Sequence, residues 1–305
     1  MKSNPAGFYK HLVHNHEDIS LIRSTEKMIR SLRKDIFRLP KDGGSVVLLL
    51  SGGLDSVIAW EMLLGQYHLH VYPLVVSQGL LDPQYGAIRK FCRIFRKKYA
   101  DRYHEPYGVR APASHGNFHT KILNDAPPER LLQYFDLTNQ TVKVPFWGAN
   151  VFTAYWGYMY LQYLTFTLPS PVTTIIYGAT ADDGLFIPSQ TYAFMRLTML
   201  MLMKFSANPA VQFGSVFYEE SLHTFMTKAD VLLYGHRALL PLSKTYSCDK
   251  RGIFHCGTCL SCRSRRYCFD RAGVIDQTLY TDGESIKERL KQVWQRTATP
   301  IKPGI

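Results

Sequence analysis

The stretch that most constrains this chain is Ser45–Ser56, which reads SVVLLLSGGLDS. Five aliphatic residues in a row, Val46–Leu50, have the length and composition of a strand buried on both faces. Two glycines follow at once, and Val57–Leu64 continues as a helix. Gly52 and Gly53 let the backbone turn tightly and present N–H groups to an anion, and the helix adds its positive N-terminal end. Ser51 and Ser56 bring hydroxyl donors to the same place. Asp55 would repel a phosphate, so it suits holding Mg²⁺ or the loop itself. An ordinary strand–turn–helix junction needs only one glycine. No lysine follows as in G-x-x-x-x-G-K-[ST], so this is a different kind of phosphate loop.

The alternation continues along the chain. His68–Ser77 reads as a second strand, and Gln84–Tyr99 as a helix with Ile88, Phe91, Cys92, Phe95 and Tyr99 turned inward. Val172–Tyr177 reads as a third strand. Strand alternating with helix predicts an α/β fold, a parallel twisted sheet with helices on both faces. Ahead of it, Ile22, Met28, Ile29, Leu32 and Ile36 recur at helical spacing, and Pro40 with Gly43-Gly44 ends that helix. Phe152–Phe166 reads as a buried helix, Thr191–Phe205 as a core helix, and Leu222–Tyr234 and Glu284–Trp294 as further helices. Prolines and glycines through 104–130 make a long loop.

With 46% hydrophobic and 20% charged residues, the chain has the composition of a packed globular protein. Its longest uncharged stretch, Val144–Ala181, is broken by Gly148, Gly157, Pro169 and Pro171, which fits a helix followed by a strand better than a membrane span. The first twenty residues carry no apolar signal core, so a cytoplasmic protein without a membrane partner is expected. The net charge of +12 admits an anionic partner, and both nucleic acid binding and self-association stay open. Arg89, Lys90, Arg93, Arg96, Lys97 and Lys98 read as the solvated face of an amphipathic helix rather than a nucleic-acid patch. His115 and His119 have metal-ligand spacing but flank Gly116 and Asn117, which argues for a loop.

Cys248, Cys256, Cys259 and Cys262 lie within fifteen residues, while Cys92 is far away. Disulfide frameworks belong to small secreted domains, so clustered cysteines here read as metal ligands. Each C-x-x-C lets two thiolates reach one ion from a tight turn. Four sulfurs suggest a closed tetrahedral Zn²⁺ site of structural type, with an iron–sulfur cluster or a redox dithiol as rivals. Cys268 reads as a packed thiol.

S-G-G-x-D-S is the signature of the PP-loop ATP pyrophosphatases, which split ATP into AMP and pyrophosphate. Together with S-C-x7-C-G-x-C-x-x-C-x-x-R near the C-terminus, it resembles the 7-cyano-7-deazaguanine synthase (QueC) family from about Ser45 to Ala272. The resemblance implies an ATP-dependent ligase that activates the carboxylate of 7-carboxy-7-deazaguanine as an acyl-adenylate for attack by ammonia. It places ATP on Ser51, Gly52, Gly53, Leu54, Asp55 and Ser56. Asp55, Asp183 and Lys228 (in Thr227-Lys228-Ala229-Asp230) become catalytic candidates, Gly178 and Pro188 match family positions, and Arg265 matches the arginine after the cysteines. It also divides the chain into a helical extension (1–44), a PP-loop domain (45–240) and a zinc segment with a C-terminal helix (241–305).

The departures are concentrated where the family is expected to read its substrate. V-P-G-R-N appears as Val144-Pro145-Phe146-Trp147-Gly148-Ala149-Asn150, without the arginine. Y-P-D-C-R appears as Ile187-Pro188-Ser189-Gln190-Thr191, without the aspartate and arginine. That pattern resembles the QueC-like proteins of bacterial antiphage systems, and implies an acceptor that is either ammonia or a protein amine. Two other functions compete: a tRNA-modifying PP-loop enzyme, and a nucleic-acid-binding zinc module with an inactive loop.

Overall fold

A computed structural model describes residues 5–77, 83–110, 135–136, 141–142, 149–185, 187–248 and 254–281. The final helix expected at Glu284–Trp294, His115 and His119 lie outside the described residues, as does most of the 104–130 loop. Val46–Leu49 are buried on β1 (Ser45–Leu49), the middle strand of a five-stranded sheet. β2 (His70–Ser77) and β3 (Tyr107–Arg110) lie on one side of it. Two short strands, β4 (Phe135–Asp136) and β5 (Thr141–Val142), pair with each other antiparallel. β6 (Thr174–Ile176) and β7 (Gln212–Gly214) complete the other side, giving the order β3-β2-β1-β6-β7 with every pairing parallel. Val47 faces Tyr72 across one edge of β1 and Ile175 across the other. The order reverses at β1, which opens a crevice beyond the carboxyl ends of β1 and β6, where open α/β sheets bind ligands.

Helices cover both faces of the sheet. α1 (Pro5–His14) and α2 (Ile19–Leu32) precede it, and α3 (Leu54–Gly65) follows β1. α4 is Pro83–Lys98, α5 Ala149–Thr167 and α6 Tyr192–Phe205. α7 is Lys228–Arg237 and α8 Leu260–Arg271. α3 packs on β1, β2 and α7, while α5 lies across β1, β2 and β6. On α4, the inward residues Ile88, Phe91, Cys92 and Phe95 are buried and all six basic residues face water. No helix among the described residues is long and apolar enough to cross a membrane.

Three elements differ from the sequence reading. The lead-in forms two helices rather than one, with Asp18 capping α2 by accepting from the Leu21 N–H at 2.9 Å. α2 stops well before Pro40, at Leu32, because Arg33 turns extended and its guanidinium donates to the carbonyls of Asp35, Pro209 and Val211. The helix expected over Leu222–Tyr234 begins only at Lys228. Upstream, β8 (Tyr218–Glu219) and β9 (Thr224–Phe225) form a hairpin, and Thr227 with Asp230 builds a capping box that fixes the helix start. α5 exists as expected but is buried on one side only: Phe166 is 85% exposed.

The N-terminal helices share the core of the sheet, with Phe8, Leu12, Ile22 and Ile29 fully buried. Arg196 on α6 has no exposed surface and donates to Glu26 of α2 at 2.9 Å and to Glu219 of β8 at 2.7 Å. Glu17 accepts from the Tyr192 and Ala193 N–H groups at the start of α6, where a carboxylate suits the helix dipole.

Candidate active site and cysteine cluster

The phosphate loop is built by Gly52, whose φ of +78° is the left-handed region that only glycine adopts freely. A Cβ there would lie 2.9 Å from the Gln84 carbonyl oxygen at the start of α4. Gly53 is the N-cap of α3 and offers no side chain to its first N–H groups, which stay open to an anion. Ser51 and Ser56 hold the turn together: their hydroxyls lie 3.1 Å apart, the Ser51 N–H donates to Ser56 Oγ at 3.2 Å, and the Gly53 N–H donates to Ser51 Oγ at 3.3 Å.

Beyond β6 the chain passes directly over this loop. A Cβ on Gly178 would stand 3.2 Å from the Ser56 nitrogen, a close approach that accounts for the glycine. Five residues on, buried Asp183 accepts from the Thr180 N–H at 2.9 Å and hydroxyl at 2.8 Å. Lys228, the first residue of α7, pairs through Nζ with Asp183 and lies 3.8 Å from Asp55 Oδ2. The three catalytic candidates of the sequence are therefore neighbours. Asp182 joins them, which the sequence reading missed: its Oδ1 accepts from the Lys228 N–H at 2.9 Å and from the Thr180 hydroxyl at 2.8 Å. The adjacent Asp182-Asp183 pair was the available signal.

Three carboxylates thus face one ammonium. Burial pushes the Asp55 carboxyl up to about 7; Lys228 opposes the rise, and Asp183 and Asp182 add to it. Burial lowers Lys228, but Asp183 and Asp55 more than offset this, so its ammonium is held above the ordinary lysine range. Tyr177, which follows β6, is raised mainly by burial, and its hydroxyl accepts from Gln190 Nε2 at 3.0 Å.

The two altered segments meet here. Asn150 Nδ2 donates to the Ser189 hydroxyl at 2.7 Å and the Ser189 carbonyl at 3.1 Å. Side chains of Ala149 and Pro188 lie outside the described residues, as do Val144–Gly148.

Cys248, Cys256, Cys259 and Cys262 bring their sulfurs within 4.8 Å of one another. Tetrahedral Zn–S bonds of about 2.3 Å need sulfurs roughly 3.8 Å apart, and Cys256 and Cys262 stand at 4.0 Å. Gly257 makes the turn with φ +75°, and the N–H groups of Thr258 and Cys259 donate to Cys256 Sγ at 3.4 and 3.2 Å. This donor set fits one thiophilic metal ion. His255 is not needed as a ligand: its Nε2 accepts from the Ser247 N–H at 3.1 Å. Cys268 is buried, as a packed thiol should be.

The cluster is tied to the phosphate loop. The Tyr246 N–H, two residues before Cys248, donates to the Gly52 carbonyl at 2.9 Å. Buried Arg265 on α8 donates to Thr245 Oγ1 (2.8 Å), Ser247 Oγ (3.3 Å), the Leu242 carbonyl (2.7 Å) and Thr278 Oγ1 (2.9 Å). Its guanidinium fork thus braces the strand of chain that holds Gly52.

A family model described as "Queuosine biosynthesis protein QueC" matches residues 167–273, which include Gly178, Asp183, Lys228, the four cysteines and Arg265. The 7-cyano-7-deazaguanine synthase of Methanosphaera stadtmanae is 24% identical over 240 residues, 77% of this chain and 97% of that one. That of Methanothermobacter thermautotrophicus is 25% identical over 246 residues, 77% and 99% of the two chains. Among solved structures, the NH3-dependent NAD synthetase of Campylobacter jejuni overlays with a TM-score of 0.37 at 11% identity, over 93% of this chain and 98% of that one, too slight a likeness to bear on function.

Proposed function

We propose that this chain, a divergent QueC-like relative of the 7-cyano-7-deazaguanine synthases and an ATP-dependent ligase, adenylates the carboxylate of 7-carboxy-7-deazaguanine and passes it to a nitrogen nucleophile. The carrying observation is the meeting of the Ser51–Ser56 loop with Asp55, Asp183 and Lys228 at the reversal point of the sheet. The loop N–H groups and the α3 N-terminus bind phosphate oxygens. Lys228 places a point charge where pyrophosphate leaves, and so lowers the cost of the charge that builds there. Asp55, Asp182 and Asp183 leave the cluster net negative, which suits a nucleotide entering with a divalent cation. Mg²⁺ fits these oxygen donors and supplies charge neutralisation on the phosphates. The four cysteines hold Zn²⁺ in a closed structural site, in a cytoplasmic protein whose thiols stay reduced.

The acceptor reading rests on Asn150 and Ser189. They form a neutral polar contact in which Ser189 stands where the family carries aspartate, and Ala149, next to Asn150, stands where it carries arginine. Fixed charges discriminate small polar ligands, so their loss favours an acceptor larger than ammonia, an amine on a protein. A thiolation reaction is disfavoured by the two cysteines outside the cluster: Cys92 and Cys268 are both buried, and burial pushes Cys268 up to about 12. The reading is tested by incubating the protein with ATP, 7-carboxy-7-deazaguanine and ammonia and following the products by mass spectrometry. AMP, pyrophosphate and an activated or amidated deazapurine are expected. ADP and phosphate would overturn the adenylation. Efficient nitrile formation without a protein amine would overturn the larger acceptor.

A further inference from the structure

β6 ends at Ile176, and the next two residues stand at the phosphate loop, where Gly178 packs against Ser56. Tyr177 is fixed from three directions. Its N–H donates to the Gly214 carbonyl at 2.8 Å, its ring stacks on Phe213 at 5.7 Å, and its hydroxyl accepts from Gln190 Nε2 at 3.0 Å. Burial keeps the phenol protonated, and among the described residues no acceptor takes that proton. Gln190 closes the short 3₁₀ turn Pro188–Gln190. Its N–H donates to the Ile187 carbonyl at 2.9 Å, and Asn150 holds the neighbouring Ser189. With Nε2 taken by Tyr177, the other end of the amide is left over. Gln190 Oε1 is buried and has no hydrogen-bond partner among the described residues. Buried carbonyl oxygens are ordinarily paired, so one without a donor beside the carboxylate–ammonium cluster needs a reason.

We propose that Tyr177 and Gln190 select the acid that is activated: the Tyr177 hydroxyl donates to a ring lactam carbonyl, and Gln190 Oε1 accepts from the N–H beside it. The assignment rests on the adenylation reading given under the proposed function. A donor next to an acceptor matches the cis-amide edge of a lactam. A carboxylate or phosphate, with acceptors only, would set its lone pairs against Oε1. In 7-carboxy-7-deazaguanine the lactam carbonyl lies on the same side of the bicycle as the carboxylate, so the group that binds it stands close to the reacting carbon. Tyr177 meets that condition, because it adjoins Gly178 and because Asp183, Lys228 and Asp55 all act on its hydroxyl. Adenine also carries an acceptor beside an amino group, but a ribose separates it from the α-phosphate. With its phosphates on the loop, ATP keeps its base further from the cluster than the acid keeps its lactam.

Pyrophosphate release with two acids tests the pair. The second acid is the 7-deazaadenine 7-carboxylate, in which the lactam becomes an amino group beside a bare ring nitrogen, so donor and acceptor change places. The parent should prefer the lactam acid by at least ~100-fold in kcat/KM, because the wrong edge leaves the buried oxygen unpaired. Gln190→Met keeps the length of the side chain without the acceptor. It should raise KM for the lactam acid by about 10-fold, hold KM for ATP within about twofold, and cut the preference to below ~10-fold. Tyr177→Phe should do the same, and it carries the test alone if Gln190→Met loses its circular dichroism. Unchanged KM and preference in both variants, in a parent that adenylates the acid, overturn the pair and leave Oε1 to water, while adenylation stands. A rise confined to KM for ATP also overturns it, and gives the pair to adenine. If the parent releases no pyrophosphate with either acid, the adenylation reading has itself failed, and this assignment falls with it.

Discussion

Asp55 sits among two other carboxylates and one ammonium, and its carboxyl titrates near 7 rather than near 4. The folded protein then holds this proton more tightly than the unfolded chain does. The contribution to stability is complete below about pH 4 and is lost as pH rises through 7. Asp55→Asn keeps the shape and removes the titration. Relative to the parent, the variant should therefore melt higher at pH 8.5 than it does at pH 4, as scanning calorimetry across that range would show. Its turnover should fall sharply at every pH if Asp55 helps to carry the cation. Lys228→Met belongs to the same scale. It removes the ammonium that pairs with Asp183 and faces Asp55, and a loss of about 10²–10³-fold in kcat is expected from the missing electrostatic stabilisation. Steady-state pyrophosphate release measures it.

At the scale of elements, the loop, the segment of residues 242–247 and the cysteine cluster behave as one unit, because Tyr246 holds Gly52 and Arg265 holds the segment. Stripping the metal with a chelator should weaken ATP binding, read by isothermal titration, while the sheet's circular dichroism persists. Unchanged ATP affinity in the metal-free protein would separate the two. Arg265→Lys supplies the charge without the fork, so several of the four acceptors lose their donor. A raised KM for ATP with normal metal content is the expected result. Cys256→Ser should lower metal content itself, since a structural site contributes its binding energy to folding. The loop and the cysteines were legible in the sequence because each is a local pattern whose spacing dictates its geometry. The tie between them was not, since Tyr246 and Gly52 are far apart in the chain and neither type of residue advertises a backbone hydrogen bond. α5 shows the reverse case: its composition predicts a buried helix, whereas Tyr155, Met159, Tyr163 and Phe166 stand exposed on one side.

Across the whole molecule, Arg196 links α2, α6 and β8 with no exposure at all. Removing it leaves Glu26 and Glu219 buried without their cation. Arg196→Met should cost about 3–5 kcal/mol, measurable by urea unfolding, even though methionine fills much of the space. The same wiring sets a schedule for synthesis. Glu17 waits for Tyr218, 201 residues downstream. At about 5–20 residues per second, a ribosome takes roughly 10–40 s to deliver that partner. During this interval Phe8, Leu12, Ile22 and Ile29 have left the exit tunnel with their apolar faces uncovered, because the core that buries them has yet to be made. The helices of residues 5–32 thus complete their packing only once Tyr192, Tyr218 and Phe225, which close around Phe8, have been made.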